Sequence, residues 1–146
     1  MILLHLTTAN TQSNLKVTIM KLIKEINETV SYLVEESNGK KTLHIEGPFL
    51  VAEKKNKNGR LYEFNTMKKE VHRYTEDYIN KNRAFGELGH PDTPTINLDR
   101  VSHIITGLRE DGTQWIGKAK ILDTPMGNIA KNLIEGGAQL GVSSRG

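Results

Sequence analysis

Apolar and polar positions change their period several times along this chain, and each change marks an element. Val30 to Glu35 and Lys41 to Glu46 read as strands. Ser37-Asn38-Gly39-Lys40 between them contains Asn-Gly, the pair that best tolerates the positive φ values of a two-residue hairpin turn. Gly47-Pro48 predicts a break in the second strand, with extended structure resuming from Phe49 to Glu53. From Asn65 to about Asn80 the period becomes helical. Met67, Val71, Tyr74 and Tyr78 fall on one face as core, and Glu70, Arg73, Glu76, Asp77 and Lys81 on the other. Asn65 is the expected N-cap, and His72 flanks the stripe as a surface residue.

Ala84 to Leu88 is strand-like. Val101 to Leu108 and Gln114 to Leu122 form a second hairpin around Asp111-Gly112. On its second strand Trp115, Gly117, Ala119 and Ile121 share one face, and Ile116, Lys118, Lys120 and Leu122 the other. Asp123-Thr124-Pro125 is a helix entry, and a helix from about Met126 to Glu135 is expected to bury Ile129, Leu133 and Ile134 before Gly136-Gly137 ends it. A short strand from Leu140 to Ser143 then runs into a terminal turn. Several short strands interrupted by two helices predict an α+β fold, mainly an antiparallel β-sheet or barrel with flanking helices. The first nineteen residues stand apart: Thr7 to Asn14 is polar with neither period, whereas Met20 opens a segment that reads like a natural start. Residues 1–19 are therefore expected to be a non-native or disordered extension, and residues 20–146 the folded domain.

Composition narrows the functional classes. The length suits about one domain with a real core. The chain has no Cys, which excludes a disulfide framework, a thiolate nucleophile and Cys-based zinc sites. No two histidines stand at i, i+4, so no zinc-protease helix is expected, and no metal or other cofactor is called for. No window approaches the run of apolar residues that a membrane helix needs, so no membrane partner is expected. The net charge of +3 is mild. Its one basic cluster, Lys54 to Arg60, has no aromatic before Tyr62 and reads as a solvated loop rather than a specific nucleic-acid site.

Two segments carry candidate chemistry. Gly86-Glu87-Leu88-Gly89-His90-Pro91 leads a strand into a histidine, with Pro91 forcing the chain out of regular structure. Histidine exchanges a proton near neutrality, so His90 is a candidate general base. Gly141-Val142-Ser143-Ser144-Arg145-Gly146 offers two hydroxyls, and a serine becomes a useful nucleophile once such a base takes its proton. Backbone N–H groups around Arg145 and Gly146 are candidate oxyanion donors, and the Arg145 side chain could hold a carboxylate instead. His103 could orient His90 or face solvent; Asp99, Glu87 and Asp92 are further candidates for a third member, which spacing alone does not choose. Arg at position 145 departs from the Gly-x-Ser-x-Gly elbow and disfavours an α/β-hydrolase.

These two segments, with His44-Ile45-Glu46-Gly47-Pro48-Phe49 and Asn56 to Tyr62 upstream, give the chain a resemblance from about Met20 to Gly146. It resembles the prohead core proteases of T4-like tailed phages, capsid-maturation serine peptidases that look distantly related to herpesvirus proteases. The resemblance implies a herpesvirus-protease-like fold, His90 as the base and Ser143 as the nucleophile, followed by Ser144 and Arg145. It also implies scaffold or core proteins and the capsid protein as substrates, inside the prohead in the host cytoplasm. Cleavage would fall after Glu with Leu or Ile two residues before it, and activation would come by self-cleavage near the N-terminus. Glu25 and Glu35 are the self-cleavage candidates, with Glu25 preferred because Glu35 lies in a predicted strand. A homo-oligomer is expected. Family members continue past Ser-Ser-Arg-Gly with further strands, so a fragment or a displaced gene boundary is expected here. The isolated chain would then be inactive and poorly soluble through unpaired strand edges. The competing classes are an inactive structural or scaffold component of the prohead, which intact His90 and Ser143 argue against, and a small basic nucleic-acid-binding module.

Overall fold

The computed structural model describes residues 3–8, 30–55, 61–89 and 95–145. Seven strands form one sheet: β1 (Leu3–Thr8), β2 (Ser31–Ser37), β3 (Lys40–Val51), β4 (Phe85–Leu88), β5 (Val101–Asp111), β6 (Gln114–Ile121) and β7 (Leu140–Arg145). Their order across the sheet is β2-β3-β6-β5-β4-β1-β7. The run from β2 to β4 is antiparallel throughout. β1 then joins β4 in parallel, and β7 joins β1 antiparallel. Helix α1 (Phe64–Tyr74) continues into a π turn, Thr75–Ile79, and helix α2 (Pro125–Glu135) precedes β7. This is the expected α+β class with a mainly antiparallel sheet.

The β2–β3 hairpin turns where the sequence predicts. Asn38 and Gly39 take φ values of 52° and 77°, and Ser37 pairs with Lys40. β3, however, runs unbroken through Gly47-Pro48. Pro48 lies beyond the last residue of β3 that β2 pairs, so on that side its missing N–H costs no ladder bond. A register shift between Pro48 and Leu50 makes room for Phe49, whose ring is buried over Gly117. A Cβ at Gly117 would stand 2.0 Å from that ring, which is why the core face of β6 carries glycine there.

Helix α1 starts at Phe64, after Glu63, rather than after Asn65. Its first N–H is capped from across the loop by Glu53, whose Oε1 accepts from Phe64 N at 2.7 Å. Glu53 adopts a left-handed φ of 59° while its N–H donates to Tyr62 C=O at 2.8 Å. Met67, Val71 and Tyr74 are buried as expected. The π turn then adds a residue to the stripe, so Ile79 is buried and Tyr78 only partly so, its ring stacked on Tyr74.

Helix α2 enters as predicted, with Pro125 in its first turn and Thr124 Oγ1 accepting from Gly127 N at 3.0 Å. Its packing differs from expectation. Ile129 and Leu133 are 44% and 40% exposed, and the buried residues are Gly127 and Ala130, with Ile134 partly buried. The helix lies too close for large side chains on that face: a Cβ at Gly127 would stand 1.9 Å from the Leu122 carbonyl oxygen.

The two termini also depart from expectation. Six of the residues placed outside the fold, Leu3–Thr8, form β1, because β4 and β7 offer backbone partners on both sides. For the same reason β7 continues past Ser143, where the strand is expected to end, so Ser144 and Arg145 also sit in a paired strand rather than on a turn.

Candidate active site

The sheet order sets the site. β4 carries the first chemistry-bearing segment, ending at Leu88-Gly89, and β7 carries the second. One strand separates them. In β1, His5 is the register partner of both Glu87 and Ser143, so these three residues share one row across the sheet. Two strand spacings put the backbones of Glu87 and Ser143 about 10 Å apart. His90 follows Glu87 by three positions but lies outside the described residues, as do Asp92, Glu25, Gly146 and most of the basic loop. For Ser143, Ser144 and Arg145 the backbone placement in β7 is described.

Glu87 is fully buried. Its Oε2 accepts from Asn97 N and its Oε1 from Asn97 Nδ2, both at 3.3 Å. Arg100 Nε lies 3.9 Å from Oε1, while Arg100 Nη2 donates to the Leu88 carbonyl at 2.9 Å. The carboxylate thus ties β4 to the segment that returns toward β5, at the two flanks of the connection containing His90. A buried charge needs this kind of partnering. Asp99 lies in the same return, on an exposed 3-10 turn over Leu98–Arg100.

His103 does not face solvent. It is fully buried on β5, with Nδ1 2.8 Å from Ser102 Oγ. It is the register partner of Gly86, and a Cβ at Gly86 would lie 1.9 Å from His103 Nε2. Gly86 is therefore the slot that accepts the imidazole. Ser102 and His103 form a hydroxyl–imidazole pair, but with both at 0% exposure no peptide carbonyl can reach it. His44 lies three strands from β4, on β3, nearly buried beside Glu35 at 3.7 Å. Glu35 occupies β2, as expected, and Lys118 ion-pairs with it. That hydrogen bond from Lys118, with the charge of His44, holds the Glu35 carboxyl below its ordinary range. Among the described residues no three His, Asp or Glu side chains gather as a metal site, and no helix is long and apolar enough to cross a membrane.

A family model described as prohead core protein serine protease matches residues 17–146. The chain belongs to this family. Among curated relatives of the prohead proteases, the prohead core protein protease of Enterobacteria phage T4 is 35% identical over 107 residues. That alignment covers 71% of this chain and 50% of the relative, so the chain spans about half the length of that protease. Among solved structures, the bacteriophage T4 capsid assembly protease superposes with a TM-score of 0.67 at 25% identity. The superposition covers 80% of this chain and 79% of the other. The family match begins after β1. Within the matched span, β4 and β7 therefore face each other across the width of one strand.

Three contributors have no signal in the linear sequence. Asn97 and Arg100 sit in a segment without a motif and matter only because Glu87 is buried against them. Tyr32 stands in a strand far from both motifs, yet its hydroxyl meets Leu140 at the start of β7.

Proposed function

We propose that this protein is a serine endopeptidase of phage prohead maturation, with Ser143 as nucleophile and His90 as general base. Family membership supports this reading, and the closeness of β4 and β7, which carry the two motifs one strand apart, is the observation that carries it. His90 takes the proton of Ser143 Oγ as the oxygen attacks the scissile carbonyl, then returns it to the departing amine. Water resolves the acyl-enzyme by the same two transfers in reverse. Leu140 uses both its N–H and its C=O on the side away from β1. Alternation along an antiparallel strand then directs the N–H of Ser144 to that same outer edge, next to the nucleophile. Such a donor to the oxyanion contributes roughly 10²–10³ in rate.

The substrates in this reading are the scaffold or core proteins and the capsid protein, cut after Glu with Leu or Ile two residues before it, inside the prohead. Self-cleavage after Glu25 activates the enzyme. Glu35 is the poorer site, since it lies in a hydrogen-bonded strand and a protease needs an extended, unpaired segment.

The test is to incubate the full-length gene product with a scaffold peptide containing Ile-x-Glu. Cleavage after Glu, loss of activity in Ser143→Ala and His90→Ala, and a product beginning at Ile26 are expected. Cleavage that survives Ser143→Ala would remove the nucleophile assignment. Absence of any cleavage or serine labelling would favour a structural role in the prohead.

A further inference from the structure

The sheet curls so that its first and last strands approach, but no backbone ladder joins β2 to β7 among the described residues. A side chain makes the connection. The Tyr32 hydroxyl donates to the Leu140 carbonyl at 3.2 Å and accepts from the Leu140 N–H at 2.9 Å, across 108 residues of sequence. One phenolic oxygen thus serves both backbone groups of a residue on the outer edge of β7, as a neighbouring strand would. Burial raises the Tyr32 hydroxyl above the ordinary tyrosine range, opposed by its bond to Leu140, so it remains a donor well past neutrality.

The ring is well placed to hold this position. Tyr32 pairs in register with Ile45, which is fully buried, and packs against the core. Leu140 is 1% exposed and Val142 0%, so β7 is anchored by its inward side chains on one face. The ladder to β1 and these side chains hold one edge and one face of β7; its other edge meets no further strand among the described residues, so that is the side on which the strand can tilt. The hydroxyl removes that freedom three residues before Ser143.

We propose that Tyr32 is a positioning residue for the nucleophile, latching the start of β7 to β2 across the open seam of the sheet. The inference rests on the assignment of Ser143 above. It also bears on processing. Cleavage after Glu25 leaves Tyr32 attached to the body of the domain, whereas cleavage after Glu35 cuts the chain that carries the latch within its own strand.

The test is Tyr32→Phe in the full-length gene product, which keeps the ring and removes only the hydroxyl. Three quantities are measured: hydrogen exchange at the Leu140 amide, labelling by a fluorophosphonate resolved into its maximal rate and its half-saturating concentration, and the melting temperature. Thr124→Ala, a helix-cap variant remote from the seam, controls for general destabilisation. Faster exchange at Leu140 is expected, with a fall in the maximal labelling rate of about tenfold, an unchanged half-saturating concentration and no such fall in Thr124→Ala. A maximal rate equal to wild type despite faster Leu140 exchange would overturn the positioning role, and so would unchanged exchange at Leu140. Labelling that persists in Ser143→Ala, or wild-type protein that is not labelled at all, would overturn the nucleophile assignment instead. Leu140 exchange would still report on the latch itself.

Discussion

Replacing Gly86 by Ala tests how β4 is fitted to the sheet. An added Cβ would fall 1.9 Å from His103 Nε2, 2.2 Å from Cε1 and 2.6 Å from Cδ2. Three atoms of one ring are hit at once, and that ring is fully buried and held through Nδ1 by Ser102. It cannot swing away as an exposed side chain would. Overpacking of this kind costs about 1–3 kcal/mol. For a domain of this size that is a loss of about 3 °C in melting temperature per kcal/mol. The prediction becomes sharp in a double-mutant cycle with His103→Ala. Alone, His103→Ala removes a buried ring and should cost about 2–4 kcal/mol. In that background the Gly86→Ala methyl enters the space the ring has left, so it should cost nothing or stabilise. The coupling should therefore be about 1–3 kcal/mol in the direction of mutual rescue. Urea unfolding followed by Trp115 fluorescence is a suitable assay, since this single Trp is 2% exposed and stacked on Phe64 at 5.3 Å. Equal destabilisation by Gly86→Ala in both backgrounds would refute the argument, because the clash would then be with backbone rather than with the imidazole.

Two further outcomes are expected. Thr124→Ala removes a hydroxyl that caps helix α2 through Gly127 N and donates to the Val101 carbonyl, and should cost about 1–2 kcal/mol in the same assay. Tyr74 is 4% exposed, and burial, with a smaller contribution from Tyr78, raises its hydroxyl well above the ordinary value of 10.0. Above that pH the unfolded chain releases a proton that the folded chain keeps. The stability from the neutral phenol is thus complete below pH 10.0 and is lost as pH rises toward the folded-state value. Tyr74→Phe should lack this part of the alkaline slope, and a slope identical to wild type between pH 10 and 12 would contradict it.

Much of the fold is legible in the sequence wherever a local preference decides the matter. Asn38-Gly39 supplies positive φ values, and Thr124-Pro125 supplies a cap and a preset φ, so hairpin and helix entry are visible in a few residues. The stripe of Met67, Val71 and Tyr74 is visible for the same reason. Its last member is not, because a π turn inserts a residue without a sequence marker and hands the buried position from Tyr78 to Ile79. Helix α2 misleads more seriously. Amphipathic reading buries the largest residues, but the distance set by Gly127 against the Leu122 carbonyl buries Gly127 and Ala130 and leaves Ile129 and Leu133 outside.

The sequence by itself determined the chemistry on offer: a histidine behind Gly86-Glu87-Leu88-Gly89, a serine pair near Gly141, and no thiol. It could not say what each neighbouring residue does, because strand register is a non-local quantity. Tertiary structure decided that His5 shares a row with Glu87 and Ser143. It also buried Glu87 against Asn97, enclosed His103 over Gly86 and brought Tyr32 to Leu140. Each of these depends on which strands lie side by side, a matter settled by burial and hydrogen bonding across the whole sheet rather than by any short stretch of chain.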